Sequence, residues 1–126
     1  MSVPKPTEGE LEILQVIWEH GPSTVRFVND QLSQQKRVGY TTTLKLMQIM
    51  LDKKLLKTDT TGKTHIYAAS VSQQKTRQQL IDKLMTTAFG GSAMQLVMQA
   101  LGNKKSTKEE INEIRAFLDQ LEGGKK

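Results

Sequence analysis

The chain has 126 residues, with 18 lysines and arginines, 13 aspartates and glutamates, and no cysteine. This length allows one domain with an extension or two small domains. The lack of cysteine excludes a disulfide framework and any thiolate metal site. The two histidines, His20 and His65, lie far apart without a nearby cluster of carboxylates, so we expect no metal site and no cofactor.

The N-terminus, Met-Ser-Val-Pro-Lys-Pro, lacks the apolar core of a signal peptide. No apolar run approaches the roughly 20 residues that are needed to span a bilayer. We therefore expect a soluble cytoplasmic protein without a membrane partner.

Two amphipathic helices are predicted first. Thr7 and Glu10 have the spacing of a capping box, and the apolar stripe behind them ends at Gly21 and Pro22. Ser23 is the expected cap of the second helix, on which Asn29 is expected to face outward. A polar run over 33–37 then ends that helix.

The third helix is expected to begin near Thr41, with a threonine hydroxyl as its cap. Its inner stripe consists of Thr43, Leu46, Met47 and Met50, at helical spacing. The opposite face carries Thr41, Lys45, Gln48 and Asp52. Threonine, glutamine and lysine can each contact base edges in a DNA major groove, so this face is a candidate base-reading surface. The alternative is an ordinary amphipathic helix whose polar side is only solvated.

A β-hairpin is predicted next, because 55–59 and 64–69 are short, rich in Thr, Ile and Tyr, and flank the turn Thr60-Thr61-Gly62-Lys63. His65 and Tyr67 are expected to pack beneath it. Three helices followed by such a hairpin, or wing, form a winged helix-turn-helix, which we assign to residues 1–71. Leu44 and Ile49 flank the reading face and are apolar where polar residues are expected. Each has two alternative contacts, the methyl group of a thymine or the wing.

Positive charge is concentrated around the third helix and the wing. Residues 36–65 contain seven lysines and arginines against two aspartates, a net charge of +5. Such a concentration is typical of a surface that binds a polyanion, although plain solvated faces also carry charge clusters. The expected phosphate contacts are Lys36, Arg37, Lys53, Lys57 and Lys63.

Residues 72–126 are predicted to form three more amphipathic helices. Ser72 and Ser92 are the expected caps of the first two, and Ser106 with Glu109 has the form of a second capping box. About fifty residues with three apolar stripes bury those stripes poorly alone, so we expect a helical dimerisation domain. The alternative is that the stripes fold back on the winged helix in a monomer. The expected dimer contacts are Leu80, Leu84, Ile111, Ile114, Leu118 and Leu121. The predicted fold is thus mainly α, with one small β-hairpin.

Several segments together resemble the BlaI/MecI/CopY penicillinase-repressor family. They are 7–18, Tyr40-Thr41-Thr42, Leu46-Met47, Met50, 52–55, Gly62, Tyr67 and 106–111. The resemblance implies a homodimeric winged-helix repressor with an N-terminal DNA-binding domain and a C-terminal dimerisation domain. It also implies that Thr41, Thr42 and Lys45 contact bases of a double-stranded DNA operator.

The chain departs from the family pattern at several positions. Without cysteine it lacks the cysteine-rich tail of the copper-responsive branch, so copper sensing through thiolates is excluded. Aligning Leu96-Val97 with the cleavage motif of the β-lactam-responsive branch puts Gln99-Ala100 where that branch has Asn-Phe, so a sensor protease as partner stays open. The family often has arginine in place of Ile49 and glycine in place of Lys54.

The functional expectation is a homodimeric repressor that binds a pseudo-palindromic operator. The alternative is a winged helix that binds another protein and no nucleic acid. We expect no enzymatic activity, because the sequence lacks a nucleophile–base arrangement, a phosphate-binding glycine loop and a metal-ligand cluster.

Overall fold

The computed structural model describes residues 5–59, 62–103 and 105–123. The elements are α1 (Glu8–His20), α2 (Val25–Leu32), α3 (Tyr40–Asp52), β1 (Leu56–Asp59), β2 (Ile66–Ala69), α4 (Gln73–Ala88), α5 (Ala93–Asn103) and α6 (Lys108–Gly123). The prediction of a mainly α fold with one β-hairpin is confirmed. The chain divides into two compact units, Met1–Ile81 and Asp82–Lys126, a division that falls within α4. The domain boundary before Ser72 stays a prediction.

The first two helices begin at side-chain caps. The Glu10 N–H donates to Thr7 Oγ1 at 3.3 Å and the Thr7 N–H donates to Glu10 Oε1 at 2.9 Å, which is the predicted capping box of α1. The cap of α2 is Thr24, whose Oγ1 accepts from the Phe27 N–H at 3.1 Å. The prediction of Ser23 as this cap was wrong, because the Ser23 backbone pairs with the hairpin instead.

The hairpin is attached to the connection between α1 and α2. β1 and β2 are antiparallel, with Leu56 opposite Ala69. The Ser23 N–H donates to the Tyr67 carbonyl at 2.9 Å, and the Tyr67 N–H donates to the Ser23 carbonyl at 2.8 Å. Tyr67 is buried as predicted, but His65 precedes β2 and is exposed, so its predicted packing was wrong. Of the predicted turn, Thr60 and Thr61 lie outside the described residues.

One apolar core joins α1, α2, α3 and the hairpin. Trp18 packs against this core, and its indole Nε1–H donates to the Val71 carbonyl at 3.1 Å. The buried apolar members are Ile13, Leu14, Ile17, Val25, Val28, Met47, Met50, Leu55, Leu56 and Tyr67.

The end of α3 is joined to β1 by a closed backbone turn. The Leu55 N–H donates to the Met50 carbonyl at 2.9 Å and the Lys54 N–H donates to the Leu51 carbonyl at 3.1 Å, the two bonds of a Schellman motif. Lys54 holds the left-handed position of this motif, with φ 67°. Glycine adopts that conformation more readily, and Gly90, with φ 56°, does so just after α4. Leu55, which follows Lys54, is buried in the core.

A buried ion pair connects the start of α1 with the end of α3. Lys53 Nζ lies 2.8 Å from Glu10 Oε2 and 3.1 Å from Glu10 Oε1, and Glu10 is 2% exposed. Burial alone would raise the pKa of the Glu10 carboxyl. The hydrogen bonds from Lys53 and Thr7, together with the charge of Lys53, outweigh burial, so this pKa lies below its ordinary value of 4.5.

We expect Glu10→Gln to lower the free energy of unfolding at about pH 7 by roughly 1–3 kcal/mol, because it removes the ionic partner of Lys53. A depressed pKa contributes stability above the pKa of the unfolded chain, and this contribution is lost as the pH falls through the pKa of the folded state. The difference between variant and wild type should therefore shrink below about pH 4. Urea unfolding of both proteins at about pH 7 and again below about pH 4 measures the loss of stability and its dependence on pH.

Glu12→Gln is the matched control for this prediction. It removes the Glu12–Lys36 pair, which spans 3.7 Å between two largely exposed side chains. We expect a change in unfolding free energy of no more than about 0.5 kcal/mol, as for other surface pairs. Equal losses from Glu10→Gln and Glu12→Gln would show that the buried pair has no special role in stability.

The described residues of the second unit are all half-buried or exposed. Ser92 caps α5, through a hydrogen bond from the Gln95 N–H to Ser92 Oγ at 3.1 Å. The capping box of α6 consists of Thr107 and Glu110, one residue after the predicted Ser106 and Glu109. Thr107 has the hydroxyl with the correct spacing from a glutamate, which corrects that prediction. Among the described residues, none after Thr76 is buried.

Candidate nucleic-acid interface

The predicted base-reading residues lie together on the outer side of α3. Thr41, Thr42, Lys45 and Gln48 are all exposed. The opposite side of the helix is closed by Thr43, Met47 and Met50, each 0% exposed. α3 therefore presents hydroxyls, an amide and an ammonium group on one accessible face.

The start of α3 leaves its threonine hydroxyls outside the capping hydrogen bonds. The N-cap is Gly39, and no side-chain hydrogen bond caps the helix. The prediction of a threonine cap was therefore wrong. The side chains of Thr41 and Thr42 remain exposed within the first turn, where hydroxyls can contact a ligand that approaches the end of the helix.

Asn29, which the sequence predicts to face outward, instead hydrogen-bonds to α3 and to the connection before it. Its Nδ2 donates to the Val38 carbonyl at 2.8 Å and to Thr43 Oγ1 at 2.9 Å. The Thr43 side chain is fully buried, so these hydrogen bonds form at the back of the helix. Asn29 thus links α2 to the segment before α3 and to the buried side of α3.

Arg26 is a candidate interface residue that sequence reasoning missed. Its guanidinium carbon lies 5.3 Å from the centre of the Tyr40 ring, within the range of a cation–π contact, and both residues are exposed. The contact places a positive charge beside the first residue of α3. No spacing rule links residues 26 and 40, so only the packing of α2 beside α3 shows this relation.

The predicted phosphate contacts have different surroundings. Arg37, Lys57 and Lys63 are exposed, in the connection before α3, on β1 and in the hairpin. Lys36 is also exposed but lies 3.7 Å from Glu12. Lys53 is bound by the buried Glu10, so the structure gives it a structural role and we remove it from the candidate phosphate contacts.

The predicted dimer contacts are all partly or largely accessible. Leu80, Ile111 and Ile114 are half-buried, while Leu84, Leu118 and Leu121 are 47%, 56% and 58% exposed. The structure places the last four of the six residues on one helix, α6.

The family model that matches the chain is that of the penicillinase repressor, over residues 6–120. The chain belongs to the penicillinase repressor family. As a member of this family it is a DNA-binding transcriptional repressor and not an enzyme. A penicillinase repressor from Bacillus licheniformis is 23% identical over 124 residues, which cover 98% of the chain and 97% of that protein.

Two solved structures resemble this penicillinase repressor family member. The solution structure of the DNA-binding domain of the repressor BlaI has a TM-score of 0.51 and 22% identity, covering 57% of this chain and 88% of that one. The monomeric form of Bacillus licheniformis BlaI in complex with the blaP half-operator also has a TM-score of 0.51 and 22% identity, covering 58% and 89%. The winged-helix fold is thereby confirmed.

Two further findings concern membrane-spanning helices and metal sites in this repressor. In the part of the chain that the structure describes, no helix is both long enough and apolar enough to cross a bilayer. Over the same residues, no three His, Cys, Asp or Glu side chains gather in a group that could hold a metal ion.

Proposed function

We propose that this repressor acts in the cytoplasm as a homodimer on a pseudo-palindromic operator. Each protomer would place α3 in a major groove of one half-site, and the helices after Ser72 would hold the two protomers together. Such dimers bind half-sites about one helical turn, or a multiple of it, apart.

The observation that carries the dimer is the exposed apolar surface of the second unit. Met94 and Met98 on α5 are 71% and 68% exposed, and Phe117, Leu118 and Leu121 on α6 are 56–58% exposed. Large apolar side chains that are exposed in such numbers on neighbouring segments of a chain are typical of an interface that a partner covers. A second copy would cover it, with Leu80, Leu84, Ile111, Ile114, Leu118 and Leu121 as the proposed contacts.

At the operator, we propose that Thr41, Thr42, Lys45 and Gln48 contact base edges. Arg37, Lys57 and Lys63 would contact phosphates and set the position of the protein on the duplex. To these we add Arg26, because Tyr40 holds its charge beside the start of α3. Lys36 is a weaker candidate, since Glu12 already neutralises part of its charge.

The solved complex of BlaI is consistent with this arrangement, since in it a monomeric form binds a half-operator. By analogy, two copies of the present chain would occupy a whole operator. A winged helix that binds only protein would have little reason to concentrate a net charge of +5 in residues 36–65, because the centres of protein interfaces are depleted of charged residues.

A sensor protease is not among the partners that we propose. The bond aligned with the family's cleavage site, Gln99-Ala100, lies within α5. Proteolytic nicking is concentrated at exposed loop tips, so cleavage there would require the helix to open first.

The test of the proposed function is selection of bound duplexes from a random pool by the full chain. We expect enrichment of one sequence with approximate two-fold symmetry. An enriched sequence without symmetry would argue against the dimeric arrangement, and absence of enrichment would favour the protein-interaction alternative.

Within such an operator, Lys45→Ala and Lys63→Ala should have different effects. Lys45→Ala should relax the preference among operator variants by roughly 1–3 kcal/mol at the affected base pair, because Lys45 would contact a base. Lys63→Ala should weaken all duplexes about equally, because it would remove a phosphate contact. Equilibrium binding to a panel of single-base operator variants measures both. Parallel losses across the panel would assign Lys45 to a phosphate.

A further inference from the structure

One aliphatic side chain of α3 lies on its accessible side. Ile49 is 37% exposed, whereas Leu44, Leu46 and Leu51 are partly buried and pack against the core. Of the two apolar residues that flank the reading face in the sequence, Leu44 is therefore a packing residue. The exposure of Ile49 leaves its side chain accessible to a ligand.

Helical geometry places Ile49 in line with two proposed base contacts. A residue advances 100° around an α-helix, so residues 42, 45 and 49 follow one another at spacings of three and four along one side. Thr42 and Lys45 are exposed as Ile49 is. A helix that lies in a major groove with Thr42 and Lys45 on base edges brings Ile49 to the base pairs one turn further along.

We propose that Ile49 is a specificity-determining residue that contacts the 5-methyl group of a thymine in the operator. This inference rests on the proposed base-reading role of α3. Thymine is the base that presents a methyl group in the major groove, whereas the other bases present hydrogen-bond donors and acceptors there. Ile49 offers no hydrogen bond, so it gains by covering the methyl and would desolvate a polar base edge without compensation.

The proposal is tested by removing that methyl group alone. The probe is the duplex selected from a random pool by the full chain, in which each thymine is replaced in turn by deoxyuridine, symmetrically in both half-sites. Deoxyuridine pairs with adenine as thymine does but lacks the methyl. For the wild-type protein we expect one thymine position at which the replacement raises the Kd roughly three- to tenfold for each contacted methyl.

Ile49→Ala provides the second half of a double-mutant cycle. This variant should bind the thymine operator more weakly by a similar factor and should be indifferent to deoxyuridine at that position. Ile81→Ala is the matched control, because it makes the same substitution at another exposed isoleucine, outside α3. It should keep the wild-type affinity and the wild-type sensitivity to deoxyuridine. Thermal unfolding and sedimentation verify that both variants are folded and associate as the wild type does.

Three results would overturn the proposal. One is a wild-type protein for which no thymine position responds to loss of its methyl. Another is an Ile49→Ala variant that responds to deoxyuridine as the wild type does at every position. The third is an Ile49→Ala variant whose association state changes while its base preference does not. Failure to enrich any duplex from the random pool would instead overturn operator binding itself, so the two failures are distinguishable.

Discussion

Leu118→Asp should convert the protein to a monomer and abolish operator binding at working concentrations. The Leu118 side chain lies on the exposed apolar side of α6, and in a dimer the new carboxylate would be buried without a partner, at a cost of several kcal/mol. Losing the second half-site contact should reduce operator affinity by roughly 10²–10⁴. Analytical ultracentrifugation and a gel shift measure the two effects.

Gln120→Asp is the matched control for this variant. It introduces the same charge two residues along α6, at another exposed position. It should remain dimeric and bind the operator as the wild type does, because a spacing of two residues places it on the other side of the helix. Loss of binding in both variants would attribute the effect to charge on α6 rather than to the dimer.

A chain that ends at Ile81 tests the role of the dimer in operator binding without a substitution. It keeps the hydrogen bond from Trp18 to Val71 and the buried Thr76, both within the first compact unit. We expect this chain to remain folded and monomeric and to lose operator binding in a gel shift. Operator affinity equal to that of the full chain would require another role for the helices after Ser72.

A rise in salt from about 50 to 200 mM should lower operator affinity by roughly 10³ or more. Each proposed phosphate contact releases condensed counterions when it forms, and Arg26, Arg37, Lys57 and Lys63 offer several contacts in each of two protomers. Fluorescence anisotropy at a series of salt concentrations measures the slope of log affinity against log salt.

Lys63→Ala should make this slope less steep by about one for each phosphate contact that is lost. Lys108→Ala is the control, because it removes the same charge at the exposed start of α6 and should leave the slope unchanged. A slope near zero for the wild type would contradict the phosphate contacts and leave the positive charge of residues 36–65 as plain solvated surface.

A helix was predictable from the sequence where its cap and its apolar stripe both lie within one short segment. The capping box of Thr7 and Glu10 and the stripe of Thr43, Met47 and Met50 are both local patterns, and the structure contains both. Neighbouring hydroxyls made some positions ambiguous. Ser23 and Thr24 are both suitable caps, and the choice depends on whether the Ser23 backbone pairs with Tyr67, far along the chain.

The candidate site was less predictable, because its side chains depend on partners distant in sequence. Lys53 was expected at a phosphate because it lies in a basic segment, yet Glu10, 43 residues earlier, binds it. Asn29 was expected in solvent because it is polar, yet it hydrogen-bonds the buried Thr43. Patterns along one helix report which side is buried, but they do not report which polar residues are already paired within the fold.

The closed turn around Lys54 has a consequence for the DNA. With both Schellman hydrogen bonds formed and Leu55 buried immediately after it, the turn leaves little freedom between α3 and the hairpin. In the proposed complex, α3 and the hairpin would therefore meet the duplex at a fixed separation, and the double helix would have to adapt to the protein. Bending or twisting a duplex costs energy that depends on its base steps. Flexible pyrimidine–purine steps between the contacts of helix and wing should therefore be favoured in the operator, at positions that no side chain touches.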